Sequence, residues 1–238
     1  MYGAEFAEIY DLIYSSRGKD YPQEAKYMAE LIRTRTPDAD SLLDVGCATA
    51  AHLVCFDELF GRVAGLELSG DMVSVARTKF GADVIHEGDM RDFDLGQTFD
   101  AITCMFGTIG HALTEADLTT TLRRFEAHLA PGGVVLVDPW WFAETFTPGY
   151  TAGDVCTAED RTIARVSHAA RDGDCSRMTV HYVIAGRDSG IRHFTETYVA
   201  RLFSRAQYEQ AFERAGFATE YIPGVQSGRG VFIAVRSA

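Results

Sequence analysis

The residues whose types and spacing most directly imply chemistry are Asp44-Val45-Gly46-Cys47 and Glu67. Leu42-Leu43-Asp44-Val45-Gly46 is a short apolar run ending in small residues, the pattern of a buried parallel strand entering a tight turn. Helical spacing follows (Leu53, Phe56, Leu59, Phe60), and Val63-Ala64-Gly65-Leu66 reads as a second strand ending on Glu67. A nucleoside laid against such a unit meets backbone N–H groups at the helix start and a carboxylate able to accept from ribose hydroxyls. The turn-to-acid spacing, about twenty residues, is that of a dinucleotide fold, but the glycines that would seat a pyrophosphate are absent. Gly88-Asp89-Met90 closes the third strand, Asp83–His86, and suits an adenine: the acid accepts from the exocyclic amine and the methionine covers the ring. His111, after the fourth strand, is the candidate base, because imidazole titrates near neutral pH.

These residues need a scaffold that brings strand ends to one edge. Helical spacing over 5–14 (Phe6, Ile9, Tyr10, Ile13) and from Pro22 to Arg35 (Ala25, Met28, Ala29, Ile32) predicts two helices lying as a lid over that edge. Ser69 caps the helix after Glu67, and Phe99–Met105 is the fourth strand. Thr114-x-x-Asp117 opens a helix as a capping box, Pro131-Gly132-Gly133 closes it, and Val134–Val137 is the fifth strand. Strand and helix alternate to this point, which argues for a doubly wound parallel sheet. The period then becomes two: 162–168 and 176–183 flank Arg171-Asp172-Gly173-Asp174 as a hairpin, and 193–203 adds a third strand. Ser204-x-x-Gln207 starts a last helix ending at Gly216, and 219–222 with 230–235 form an antiparallel edge. The expected division is a cofactor domain over 1–142 and 201–238, with an antiparallel β insertion over 143–200 for substrate binding and dimer contact.

Length and charge narrow the partners. A chain of 238 residues is one domain, or one domain with an insertion. A net charge of −12 argues against nucleic acid and anionic membrane surfaces, while leaving room for an anionic small molecule held by a few local cations. The five cysteines show neither CxxC nor metal-ligand spacing and read as reduced thiols of a cytoplasmic protein, with no metal expected. The first residues lack the pattern of a signal peptide, and no stretch has membrane-spanning length.

Asp-x-Gly-Cys followed by an acid at the next strand tip resembles the cofactor motif of class I S-adenosylmethionine (SAM) methyltransferases. Nearly the whole chain resembles one group among them, the N,N-dimethyltransferases of thymidine-diphosphate (TDP) 3-amino-deoxysugars of the desosamine and mycaminose type. The stretches that carry this are Arg17-Gly18-Lys19-Asp20-Tyr21, Ala64–Ser69, Gly88–Phe93, Ile109-Gly110-His111, Leu129–Val134, Pro139-Trp140-Trp141-Phe142, Arg165-Val166-Ser167-His168 and Ser227-Gly228-Arg229-Gly230. The resemblance implies a Rossmann-like α/β fold with a mostly parallel seven-stranded sheet. It implies SAM as cofactor, a TDP-aminosugar as substrate, a homodimer, and N-methylation of the sugar amine in antibiotic biosynthesis. On that footing Tyr10, Arg17, Tyr21, Gly46, Glu67, Leu68, Asp89, Met90 and Met105 hold SAM. Tyr2 stands over the acceptor amine and His111 assists as base. Trp141, Tyr150, Arg165, Ser167, His168 and Arg229 line the sugar-nucleotide site, with the arginines on phosphate because a guanidinium matches its oxygens.

The chain departs from the family in the opening motif, where Asp-Val-Ala-Cys-Gly-Thr-Gly is usual and Asp44-Val45-Gly46-Cys47-Ala48-Thr49-Ala50 stands here. Two alanines forced into left-handed backbone would cost ~2–4 kcal/mol, unless the loop shifts and Gly46 takes over the permissive position. Ala48 and Ala50 support an alternative: a non-catalytic homologue that binds sugar nucleotide or a partner enzyme. Gly107-Thr108 replaces paired serines, and Asp138 replaces a glutamate, both near the acceptor.

Overall fold

The computed structural model describes residues 2–225 and 228–236, so Ser227 of the last motif lies outside the described residues. Leu42 and Leu43 show how the fold is built. They are adjacent in β1 (Ser41–Val45), both fully buried, and they point into different cores. A strand apolar on both faces has to be covered on both faces, which is the doubly wound solution. The main sheet also contains β2 (Arg62–Glu67), β3 (Ile85–Glu87), β4 (Phe99–Cys104), β5 (Leu129–Val137), β10 (Ala218–Ile222) and β11 (Val231–Val235). Its order is β10-β11-β5-β4-β1-β2-β3, with β11 antiparallel to both neighbours and the remaining pairs parallel. Helices α2 (Tyr21–Arg33), α3 (Ala51–Asp57) and α4 (Gly70–Phe80) cover one face; α5 (Glu115–Ala127) and α6 (Arg205–Arg214) cover the other. Strand order reverses at β1, so the loops after β1 and β4 diverge and leave a crevice at their carboxyl ends.

A second sheet, β6 (Tyr150–Thr157), β7 (Arg161–Asp172), β8 (Cys175–Gly186) and β9 (Gly190–Arg201), is wholly antiparallel. The hairpin expected from Asp172-Gly173 is present, with Asp172 paired to Cys175. Strand β6 was not expected. Its inward residues Ala152, Asp154 and Cys156 include only small and polar types, so apolar alternation does not announce it. Helix α1 (Ala4–Ser16) packs Phe6, Ile9 and Ile13 against this second sheet, with Ile163, Val180, Tyr182 and Ile184 in the same cluster.

Two further expectations change. Helix α2 lies mainly in the core: Ala25, Met28, Ala29 and Ile32 bury it beside α3, with its first residue, Tyr21, reaching the cavity, while α1 runs along that edge. Pro131-Gly132-Gly133 does not close α5, which ends at Ala127. These residues lie inside β5, where the register against β4 jumps between Phe99 and Ala101 and Gly132 takes a left-handed turn through the bulge. Thr114 accepts from the Asp117 N–H at 3.0 Å, half of a capping box, whereas Ser204 and Gln207 form the full reciprocal pair.

The turn after β1 takes the strained course. Ala48 (φ 49°) and Ala50 (φ 64°) are both left-handed, as is Gly46 (φ 72°). Gly46 does not relieve the alanines; its own freedom lets the Thr108 side chain close in to where a Cβ would stand. Intramolecular bonds hold the turn: Gly46 and Cys47 donate to Leu66 O, and Ala50 donates to Cys47 O. The left-handed penalty, about 1–2 kcal/mol per residue, therefore weighs on folding. Ala48→Gly or Ala50→Gly should leave the melting temperature unchanged or raise it, strain relief offsetting the roughly 0.4–1 kcal/mol of added chain entropy. Ala76→Gly, at a fully buried right-handed helical position in α4, should cost about 1–2 kcal/mol. Equal losses at all three positions in thermal melts would contradict this.

Candidate functional site

A cavity of about 650 Å³ lies where the crevice of the main sheet faces the second sheet, with α1 along one side. Most of the residues singled out from the sequence line it: Tyr2, Tyr10, Arg17, Tyr21, Gly46, Glu67, Leu68, Asp89, Met90, Met105, His111, Tyr150, Arg165, Ser167 and Arg229. Trp141 and His168 do not.

Three carboxylates define the main-sheet end. Glu67 is buried and accepts from the Ala48 N–H (3.0 Å) and the Ser69 N–H (2.8 Å), one on each oxygen. A carboxylate offers about four acceptor positions, so two remain for the hydroxyls of a ribose. Burial raises the Glu67 pKa and these N–H bonds oppose the rise. Asp44, fully enclosed at the end of β1, accepts from Thr103 Oγ1 at 2.8 Å. Burial pushes its pKa up to about 7, with nearby Glu67 adding to the effect. Asp89 is engaged differently from expectation: Arg91 grips both its oxygens through Nε (2.9 and 3.1 Å) and Nη2 (2.5 Å), and this holds the carboxyl below its usual range. An adenine amine can reach Asp89 only by sharing it with Arg91.

The α1 wall is aromatic. Tyr2, Phe6, Tyr10 and Tyr14 meet at ring separations of 4.7 to 6.4 Å, and burial raises the pKa of all three tyrosines, that of Tyr14 to about 12. They are neutral donors. The Tyr2 backbone oxygen accepts from Ser69 Oγ at 2.8 Å, which ties the start of the chain to the loop after Glu67. Tyr14 and His52 line the cavity without having been singled out, although Tyr14 lies one turn beyond Tyr10 on the same helical face. His52 Nε2 lies 2.8 Å from Glu24, which also takes Lys19 at 2.6 Å, and Tyr21 stands edge-on to the His52 ring. The Tyr21 hydroxyl is buried and has no hydrogen-bond partner among the described residues. Arg17 lines the cavity while pairing with Asp154 of β6 at 3.0 Å.

The far wall comes from the second sheet and the carboxyl-terminal strands. Arg165 and Ser167 face inward from β7, joined at 3.1 Å. His168 follows them in the same strand, and side chains alternate across a sheet, so it points to the outer face. Trp140, not Trp141, lines the cavity. Its Nε1 donates to Ser176 Oγ at 2.7 Å, and its ring rests on Gly107 and Gly110, where any Cβ would clash with it. Trp141 turns outward and half exposed. The Arg229 guanidinium lies 5.4 and 5.3 Å from the two indoles; Nε donates to Pro139 O at 2.8 Å, and Nη2 is buried without a hydrogen bond among the described residues. Asp138 sits 3.7 Å from Arg229, and burial raises its pKa to about 6.

His111 stands where the two sheets meet. Its Nδ1 lies 3.1 Å from the Val199 carbonyl of β9. A carbonyl can only accept, so Nδ1 carries the proton and Nε2 of the neutral ring keeps its lone pair. The ring is exposed to the cavity, and desolvation by the protein around it lowers its pKa, which favours the neutral form.

The family described as a methyltransferase domain matches residues 42–133, the stretch from β1 through the β5 bulge. A dTDP-3-amino-3,6-dideoxy-alpha-D-glucopyranose N,N-dimethyltransferase of Streptomyces fradiae is 50% identical over 237 residues, covering 100% of this chain and 93% of the relative. The crystal structure of DesVI from Streptomyces venezuelae matches with a TM-score of 0.95 at 48% identity, covering 99% of this chain and 100% of that one. SAM-bound CalS10, an amino pentose methyltransferase of Micromonospora echinaspora involved in calicheamicin biosynthesis, matches with a TM-score of 0.88 at 43% identity, covering 96% of this chain and 97% of that one.

The raised Asp44 pKa has a consequence for stability. Its folded value, about 7, lies above the ordinary 3.8, so its neutral form stabilises the fold at low pH and this contribution is lost as pH rises toward 7. Asp44→Asn should therefore gain relative to wild type between pH 5 and pH 8, by up to about 2.6 kcal/mol, since part of the shift is already expressed at pH 5. Thermal melts of both proteins at the two pH values measure this; a gap that is constant with pH would show that Asp44 does not titrate in that window.

Proposed function

The chain belongs to the SAM-dependent N,N-dimethyltransferases of TDP-aminodeoxysugars, enzymes of antibiotic biosynthesis, and from that premise we propose how its cavity divides between two substrates. The observation that carries the reading is the polarity of this cavity: the buried Asp44 and Glu67 at the main-sheet end, Arg165 and Arg229 at the far end, and His111 between them.

The main-sheet end fits SAM. Glu67 has acceptor positions left for the ribose, Met90 and Met105 supply apolar cover for adenine, and the Tyr21 hydroxyl, without a hydrogen-bond partner among the described residues, can donate to the methionine carboxylate. Gly46, Leu68, Tyr10 and Arg17 complete this half. SAM supplies an electrophilic sulfonium methyl when bound. What the chain's own residues do is place an amine behind that methyl. Tyr2, Tyr10 and Trp140 exclude water, and Tyr2 borders the acceptor amine. Arg229, whose buried Nη2 has no hydrogen bond among the described residues and lies 3.7 Å from Asp138, and Arg165 take the diphosphate oxygens, with Tyr150 and Ser167 beside them. Nε2 of His111 accepts the proton that the amine sheds, and positioning supplies most of the acceleration. The product amine is mono- or dimethylated, in keeping with the relatives' names.

The outer face of the second sheet carries Val155, Val166, Val183 and Ile191, from 41 to 77% exposed, and a second copy of the chain covering it makes a homodimer. Sedimentation showing a monomer at micromolar concentration would remove this part of the reading.

Calorimetry and kinetics test the division of the cavity. Glu67→Ala should weaken SAM binding at least ten-fold while TDP binding changes little, and Arg229→Ala should do the reverse. His111→Asn should slow turnover by less than the ~10²–10⁴ of an essential base. It should also remove the acid limb of the pH profile, which lies below the usual histidine value of about 6.5. Equal loss of both ligands in either variant, or complete inactivity of His111→Asn, would contradict these assignments.

A further inference from the structure

Asp154 stands opposite Arg165 in the β6–β7 pair, directly across the ladder. One of its oxygens, Oδ2, lies 3.4 Å from Arg165 Nη1 and 3.0 Å from Arg17 Nε. Arg17 is the residue that ends α1, so one carboxylate joins the end of the covering helix to the wall of the second sheet. Arg165 is only 4% exposed, and its hydrogen bonds to Asp154 and Ser167 both run through Nη1.

A buried guanidinium is costly without an anion close by. Here a single carboxylate serves two guanidiniums, so the cluster keeps one surplus positive charge facing the cavity. That surplus is useful only if the arginine is held still. An arginine loses about 2 kcal/mol of rotamer freedom when it is fixed, and an anionic ligand binds more weakly if it must supply that ordering itself. A short aspartate on the neighbouring strand has few rotamers and supplies it beforehand.

We propose that Asp154 is a positioning residue for the acceptor: it holds Arg165, tied through the same oxygen to Arg17, in the orientation that receives the acceptor's diphosphate. The proposal rests on the reading that Arg165 faces the acceptor. Asp154 touches neither substrate. Its effect reaches the reaction chiefly through acceptor affinity; at the cofactor end it touches Arg17 alone, and Glu67 and Tyr21 are left as they are.

The test uses the full chain and TDP-3-amino-3,6-dideoxyglucose, comparing wild type with Asp154→Asn, Asp154→Glu, Arg165→Ala and the Asp154→Asn/Arg165→Ala pair. Steady-state kinetics, calorimetry with SAM and with TDP, and thermal melts are measured on each. Asp154→Asn should raise the acceptor KM and the TDP Kd about ten-fold, the scale of one charged hydrogen bond. The loss should fall on KM, with kcat within about three-fold of wild type and SAM affinity, reached only through Arg17, changed less than the TDP Kd. Asp154→Glu should recover part of it, and the double variant should be no worse than Arg165→Ala, since the two act through one guanidinium. An unchanged KM in Asp154→Asn, while Arg165→Ala raises it, would overturn the proposal and leave the site reading standing. Additive losses, or a joint fall in kcat, SAM affinity and melting temperature, would reduce Asp154 to a structural residue and overturn it too. If Arg165→Ala itself leaves KM and TDP binding unchanged, the site reading fails and the proposal falls with it.

Discussion

The rest of the site depends on two hydrogen bonds, those that Glu67 accepts from the Ala48 and Ser69 N–H groups. The acid ends β2, and its two oxygens reach to either side, to the turn after β1 and to the loop that starts α4. The turn is the strained element, with left-handed backbone at residues 46, 48 and 50. A buried carboxylate that accepts from its central N–H gives that backbone a reason to stay where it is. Ser69 passes the constraint on, since its hydroxyl caps α4 and donates to the Tyr2 carbonyl. The start of the chain, the cofactor turn and the helix after β2 are thus referred to one carboxylate.

Charge is distributed against the protein's overall balance. The chain carries a net −12, yet the far wall of the cavity presents Arg165 and Arg229, the cations that the proposed reading gives to the diphosphate. The main-sheet wall presents Asp44 and Glu67, which the same reading sets beside a cofactor carrying a sulfonium and an ammonium. Protein walls of low dielectric strengthen both fields. The two substrates differ in charge, so each end favours its own ligand and disfavours the other.

Most of the fold was legible because parallel strands covered on both faces leave continuous apolar runs, and their helices carry clear caps. Gly46, Glu67, Asp89 and Met105 could be expected to lie together because they follow or end strands, where sequence order and spatial order agree, and they line one cavity. What failed depended on the parity of a strand or the content of one face. Arg165 and Ser167 are two residues apart in β7, so alternation puts them on one face, and His168, next to Ser167, falls on the other. Trp140 and Trp141 pose the same choice in an irregular segment, and the glycines at 107 and 110 that admit the Trp140 ring decide it. Strand β6 was invisible because its inward face is built of Ala152, Asp154 and Cys156. Helix α2 has the same amphipathic pattern whether it covers a ligand or a sheet, and periodicity cannot tell the two apart.

Helix α1 is better described as a shared wall than as a lid. Its apolar residues are buried with the second sheet, through Phe6, Ile9 and Ile13. Its polar residues reach the main sheet side, where Asp11 takes Thr49 Oγ1 at 2.5 Å and Lys79 Nζ at 2.7 Å. Its tyrosines fill the space between. In a methyl transfer the protein has little covalent work to do, and the rate depends on how well the amine is aligned behind the carbon that moves. That alignment is a relation between two bodies, one holding the cofactor and one holding the sugar nucleotide. A helix whose apolar side belongs to the second body and whose polar side is bonded to the first fixes the relation directly. On the proposed reading, Tyr10 and Tyr14 on this helix and Tyr2 just before it bound the space in which the amine is aligned, a role in placement rather than in proton transfer.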